Sequence, residues 1–159
     1  MSACFFACTS LTTVSAIPST VTQMADCFYG CKSLTEAPAI PANVQNMHAC
    51  FCQCEKLVQG PEIPASVTDL SECFGGCKSL TTAPDIPANV TNLSACFAWC
   101  SKLEGVKINR NYAGCNFTDT FNQCGALKDG GIKVPSSQLQ TYKNNADGMK
   151  TTAAKFSGF

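Results

Sequence analysis

A 23-residue repeat constrains this chain more than any other feature. Phe5, Phe28, Phe51, Phe74 and Phe97 keep that step, and so do three further columns. These are Cys4, Cys27, Cys50, Cys73 and Cys96; Cys8, Cys31, Cys54, Cys77 and Cys100; and Leu11, Leu34, Leu57, Leu80 and Leu103. A sixth, looser copy follows one inserted residue, with Phe117, Phe121, Cys124 and Leu127, and with Thr120 in place of the first cysteine. A unit this short cannot bury its apolar side alone. Stacked copies share one continuous core, so the chain must be a solenoid.

One copy, "TQMADCFYGCKSLTEAPAIPANV" (22–44), shows what each turn should contain. Met24, Cys27, Phe28 and Cys31 fall at i, i+3, i+4 and i+7, the spacing of one helix face. Thr22 or Gln23 stands where an N-cap belongs, with Thr68, Asp69, Thr91 and Asn92 as counterparts. Acids (Asp26, Asp69, Glu72) lie early in the segment and lysines (Lys32, Lys56, Lys78, Lys102) late, as a helix dipole favours. Gly30 and Gly76 limit the predicted helix to two turns. The next segment, "SLTEAPAIP", is extended: Leu34, Ala37 and Ile40 point inward, while Pro38 and Pro41 forbid helix and remove backbone donors. The expected fold is therefore an α/β repeat solenoid of about six turns, each a short helix plus a short strand.

The chain divides into a solenoid over 1–135 and a different tail over 136–159. The stretch "IKVPSSQLQTYKNNADGMKTTAAKFSGF" abandons the period, and Ser136 or Ser137 can cap a helix through "QLQTYKNNA". With Leu139 and Tyr142 on one face, this predicts a C-terminal helical cap, as solenoids require. The first copy has no such cover: Cys4, Phe5 and Cys8 begin almost at Met1. That end should dock on something, self-associate or continue in a fuller protein.

The unit C-x-x-L…I-P-x-x-V-x-x-M-x-x-C-F-x-x-C resembles the leucine-rich repeats of BspA-like (Treponema-type) bacterial surface proteins. Cys31, Leu34, Ile40, Pro41, Val44, Met47, Phe51 and Cys54 carry the likeness, and "IKVPSSQLQTYKNNA" is similar to that family's closing segment. The resemblance covers nearly the whole chain. There is one extra residue between Leu34 and Ile40, one fewer between Met47 and Phe51, and cysteine replaces a small residue before Phe. The resemblance implies a curved leucine-rich-repeat solenoid with strands on its concave side. It also implies a surface-exposed binding or adhesion protein of bacteria, protists or their phages, extracellular or on the cell surface. Such repeats carry no catalytic motif, so it transfers no functional residue.

Thirteen cysteines in 159 residues invite other chemistries. A C-x-x-x-C pair recurs in each copy, but zinc needs four ligands around one ion, and two endless columns offer no grouping into fours. Cys50 and Cys54, stacked at i and i+4 on a helix, do not suit a disulfide's dihedral. The columns therefore read as buried free thiols that pack like small hydrophobes, with Cys50 and Cys54 against their counterparts one copy away. Cys52 and Cys115 lie off the columns and read as surface or half-buried thiols. Cys115 falls near an expected helix start, where a thiolate is favoured. His48, the sole histidine, has Ala25, Ser71 and Ser94 as counterparts and reads as solvent-facing.

No G-x-S-x-G, P-loop or G-x-G-x-x-G motif is present. Net charge is zero with 14% charged residues, which leaves no basic footprint for nucleic acid. No apolar run reaches the ~20 residues of a membrane span, and "MSACFFACTS" has no signal-peptide pattern. No enzyme, metal or cofactor is expected. What remains is surface. The polar positions of the extended segments are the candidate binding face: Thr35, Glu36, Gln59, Glu62, Thr82, Asp85, Glu104 and Lys107. The expected role is recognition or adhesion toward a protein or glycan. The alternative is a structural subunit of a phage particle or other assembly, docking through the first copy.

Overall fold

The computed structural model describes all residues, Met1–Phe159. The copies stack in register, and their core columns are the predicted ones: Met24, Cys27, Phe28, Cys31 and Leu34 are fully buried, as are their counterparts in the following three copies. Six phenylalanine rings, Phe5, Phe28, Phe51, Phe74, Phe97 and Phe121, form one stack with centroids 5.2–5.9 Å apart and planes within 9° of parallel. Each such contact adds roughly 0.5–1.5 kcal/mol beyond the area buried.

The expected helix in each copy is absent. In its place stand overlapping β-turns. The Cys27 N–H donates to Met24 O at 3.2 Å, and Cys31 N–H to Phe28 O at 3.1 Å. The third residue of each of these turns has left-handed φ, Asp26 at 55° and Gly30 at 69°, as a type II turn requires. The reason for the misreading is one of spacing. Tandem four-residue turns place Met24, Cys27, Phe28 and Cys31 on one side just as 3.6 residues per turn would. What separates the two is where the remaining N–H groups go. Those of Met24, Asp26, Phe28 and Gly30 leave the copy and donate to Asn46, His48, Cys50 and Cys52 of the next, at 2.8–2.9 Å. An α-helix would have kept them inside. Thr22 and Gln23 accordingly cap no helix. The side chain that organises the turns stands in Gln23's own column: Asn46, Asp69, Asn92 and Asn116 accept the N–H of the residue two ahead at 2.8–3.2 Å. Their backbones form a single-residue parallel bridge from each copy to the next.

The expected strand in each copy is also largely absent. Prolines at 38, 41, 61, 64, 84 and 87 remove ladder donors, leaving isolated bridges such as Gln59 with Thr82 and Ile86 with Ile108. Continuous pairing appears only where the prolines stop. Strands β1 (Val106–Lys107), β2 (Ile132–Val134) and β3 (Phe156–Gly158) form a parallel sheet in that order. The tail thus keeps the stacking that its sequence abandons, since Phe156 lies in register with Ile132. Between β2 and β3 runs helix α1 (Leu139–Asn144), entered through a 3-10 turn at Ser136–Gln138 with no side-chain cap from either serine. Tyr142 is buried, and its hydroxyl donates to Arg110 O at 3.1 Å. The last full copy hands its donors to this region: Asp119 N–H reaches Gly148 O and Phe121 N–H reaches Met149 O, both at 2.9 Å.

Candidate functional site

All thirteen cysteines are free thiols. Cys50 and Cys54 are fully buried, in line with their neighbours one copy away. The second column has a specific job. Cys31, Cys54, Cys77, Cys100 and Cys124 each donate S–H to a phenylalanine carbonyl of the preceding copy, at 2.9–3.2 Å. Burial pushes these thiols up; Cys124 reaches about 12. They are protonated, inert groups at neutral pH. Thr120, which stands in the first column, is satisfied by its own bonds to Leu93 O at 3.0 Å and Phe117 O at 2.7 Å.

Two expectations about polar chemistry need correction, and a third holds. His48 is half-buried, not solvent-facing, with Nδ1 2.8 Å from Ser71 Oγ. Cys52 is buried, because small neighbours, Gly75 above all, let the chain close over it. Cys115 is half-buried, as expected, and gains no thiolate character. No helix starts there, and burial raises its thiol to about 11 despite the guanidinium of Arg110. Arg110 itself escaped the sequence reading. It is buried and clasps the loop holding the inserted residue, donating to Asn111 O and Ala113 O at 2.8 Å each.

The eight candidate surface residues fall into two sets. Thr35, Glu36, Gln59 and Glu62 line one groove of about 880 Å³ between the extended segments 35–42 and 59–66. No backbone hydrogen bond joins those two segments. Pro38, Pro41, Pro61 and Pro64 have no N–H to offer, and the staple is Ser66, whose hydroxyl reaches Ala42 O at 2.7 Å and Val44 O at 2.6 Å. Glu36 and Glu62 are exposed and form no ion pair, which makes the groove acidic.

The other four are occupied locally. Thr82 bridges Gln59 and Gly105 through its backbone. Asp85 pairs with Lys107 at 3.5 Å, and Glu104 pairs with Lys128. Lys107 also lies 4.7 Å from the Phe159 ring centroid. One exposed residue was passed over in the sequence: Trp99, on the side of the turns. The available signal was a lone tryptophan in a column otherwise held by Ala7, Gly30, Gln53, Gly76 and Gln123.

With these stacked copies in view, the comparison with known families is decisive. The model of the BspA type leucine rich repeat region (6 copies) matches residues 1–104 and 26–146. The chain belongs to that family. BspA-type repeats thus account for the shared core and the stacked turns. Two solved structures share the fold. One is a T. pallidum leucine rich repeat protein, at 22% identity and TM-score 0.55 over 91% of this chain and 75% of that one. The other is a leucine-rich repeat protein from Bacteroides ovatus, at 22% identity and TM-score 0.51 over 87% of this chain and 43% of that one. No curated protein matches. No helix is long and apolar enough to cross a membrane.

Proposed function

We propose that this chain is a non-catalytic recognition or adhesion module that holds a protein or glycan partner on its repeat surface, as part of a bacterial cell-surface or secreted protein. The observation that carries the reading is the groove between 35–42 and 59–66. It is the place where stacked segments leave their backbones unpaired, and it presents two unpaired carboxylates, Glu36 and Glu62, beside Thr35 and Gln59. Residues 136–159 serve this reading as the end cap that receives the last copy's donors. The test is binding of the full chain to a glycan array and to a library of basic peptides. The E36K/E62K double variant, both changes lying on exposed side chains, should weaken at least one interaction tenfold or more. No binding, or binding that the double variant leaves intact, would overturn the groove assignment.

A second reading, docking of an assembly or phage subunit through the first copy, is favoured by a separate observation. In the turn segments each copy donates its outward N–H groups to the copy that follows, whereas elsewhere the sense reverses, as from Thr35 to Thr12 and from Gln45 to Thr22. In that turn ladder the carbonyls of Ser2, Cys4 and Phe6, counterparts of the acceptors Ala25, Cys27 and Tyr29, receive no backbone N–H, and they lie beside exposed Phe6 and half-buried Phe5. That edge calls for a partner rich in donors. A second copy meeting it face to face would bring acceptor against acceptor. Light scattering on a sizing column tests self-association, and a monomer at all concentrations would rule out a second copy as the occupant of this face.

A further inference from the structure

The side of the molecule built from the turns carries a second, separate depression, of about 450 Å³, and we propose that it is a subsite for a single neutral sugar ring stacked on Trp99. The volume falls within the roughly 300–1,000 Å³ of small-molecule sites. Its shape follows from an interrupted column. Phe6 and Tyr29 stack at 4.9 Å, but their counterparts shrink to Cys52, Gly75 and Ala98. Gly75 and Gly76 line the space opened, and Cys52, buried, lies next to Gly75.

Trp99 borders this space with 59% of its surface exposed, the most exposed of the large apolar side chains. Its backbone is left-handed, φ 65°, at a position where two other copies place glycine. A bulky side chain there is strained by roughly 1–2 kcal/mol. Ala7, Gln53 and Gln123 hold the same left-handed position, so the strain is common to the column. What sets Trp99 apart is a large apolar ring exposed beside the space that Gly75 and Ala98 open.

The polar groups around the indole decide the ligand class. Glu72 is exposed and unpaired, and its charge, with that of Asp26, adds to the burial that lifts Cys52 to about 11. Glu55 is held low by Lys78 and Lys32, with which it pairs at 3.4 and 3.5 Å. Acids and a lysine therefore share the rim. A cation meets Lys78, and an anion meets Glu72 and Glu55. A neutral ring with an apolar C–H face and a rim of hydroxyls meets neither penalty. Its hydroxyls can donate to the carboxylates and accept from the Lys78 ammonium, while the indole covers its apolar face.

Trp99 is the sole tryptophan, so its emission reports on this site alone. The full chain is titrated with methyl glycosides of glucose, galactose, mannose and N-acetylglucosamine. The expected result is a saturable change in emission, and reduced acrylamide quenching at saturation, for at least one glycoside. Trp99→Gly, which suits the left-handed backbone and keeps the fold, should lower calorimetric affinity for that glycoside at least tenfold. Silence toward all four glycosides, a response only to basic peptides, or binding retained by Trp99→Gly would each overturn the proposal. The site is distinct from the groove between the extended segments, and E36K/E62K should leave it unchanged.

Discussion

The thiol of Cys77 donates to the carbonyl oxygen of Phe51 at 3.1 Å, and that same oxygen accepts the N–H of Cys54 at 3.1 Å. One bond is within a copy and the other between copies, so both lone pairs of a buried carbonyl are used. The arrangement recurs in five successive pairs. It explains why cysteine fills the column. Alanine would leave space and no donor, and leucine would overfill the stack. Cys77→Ala keeps one bond to Phe51 O, so no orphaned acceptor is created. It should cost about 1–2 kcal/mol, the scale of a small cavity plus one hydrogen bond. Urea denaturation with unchanged m-value is the measurement. An unchanged midpoint would show that the thiol bond is incidental.

The raised thiols make stability fall at alkaline pH. The shift is upward in eleven cysteines, from an ordinary value of 9.0, with burial the first cause in each. Above pH 9 the unfolded chain releases protons that the native state retains. Its stabilisation by these groups is full below pH 9 and is lost as pH rises toward the native values, about 11 for Cys52. Each thiol contributes a slope of up to about 1.4 kcal/mol per pH unit. With so many acting together, the transition followed by circular dichroism under reducing conditions should be steep and begin near pH 9–10. It should reverse on prompt acidification. Flat stability to pH 11 would contradict the burial of the columns.

Left-handed residues give a test of the turns themselves. Gln123 has φ 61° and is exposed, so Gln123→Gly should stabilise by about 0.5–1 kcal/mol. Gly30 has φ 69°, and Gly30→Ala should destabilise by about 1 kcal/mol, although the new methyl would meet only Ala7 at 3.5 Å. Thermal melts of the two variants should move in opposite directions. A helix in this segment would reverse both signs.

The periodic columns were legible because burial is a property of position in the repeat. Phe28, Cys31 and Leu34 had to face inward whatever the backbone did. The backbone was not legible, because Met24, Cys27, Phe28 and Cys31 satisfy a helix and a run of turns equally. Asp69 and Asn92 held the distinguishing signal, as they are turn-forming residues at a repeated position, but as N-caps they looked equally apt. The prolines correctly announced broken strands, yet sequence could not show that segments 35–42 and 59–66 part to form a groove. That depends on which copies bond, not on what each contains. Trp99 was hidden for a different reason: in a column with no common character, one large residue reads as surface variation.

The stack has a direction, and its two ends should differ in protection. The Phe5 N–H bonds Cys27 O and the Phe51 N–H bonds Cys73 O, both at 2.9 Å, so bond length does not separate them. Their surroundings do. Phe51 has a ring stacked on each side and is fully buried, whereas Phe5 stacks only on Phe28 and is half-exposed. In a solenoid each copy is held by its neighbours, and the end copy has one. Native-state hydrogen exchange should therefore show the Phe5 amide opening at least tenfold more readily than that of Phe51. The Phe121 amide, which bonds Met149 O at 2.9 Å, should stay close to the interior value. Equal exchange at Phe5 and Phe51 in a monomer would mean that the first copy is covered, and fast exchange at Phe121 would mean that residues 136–159 do not close the opposite end.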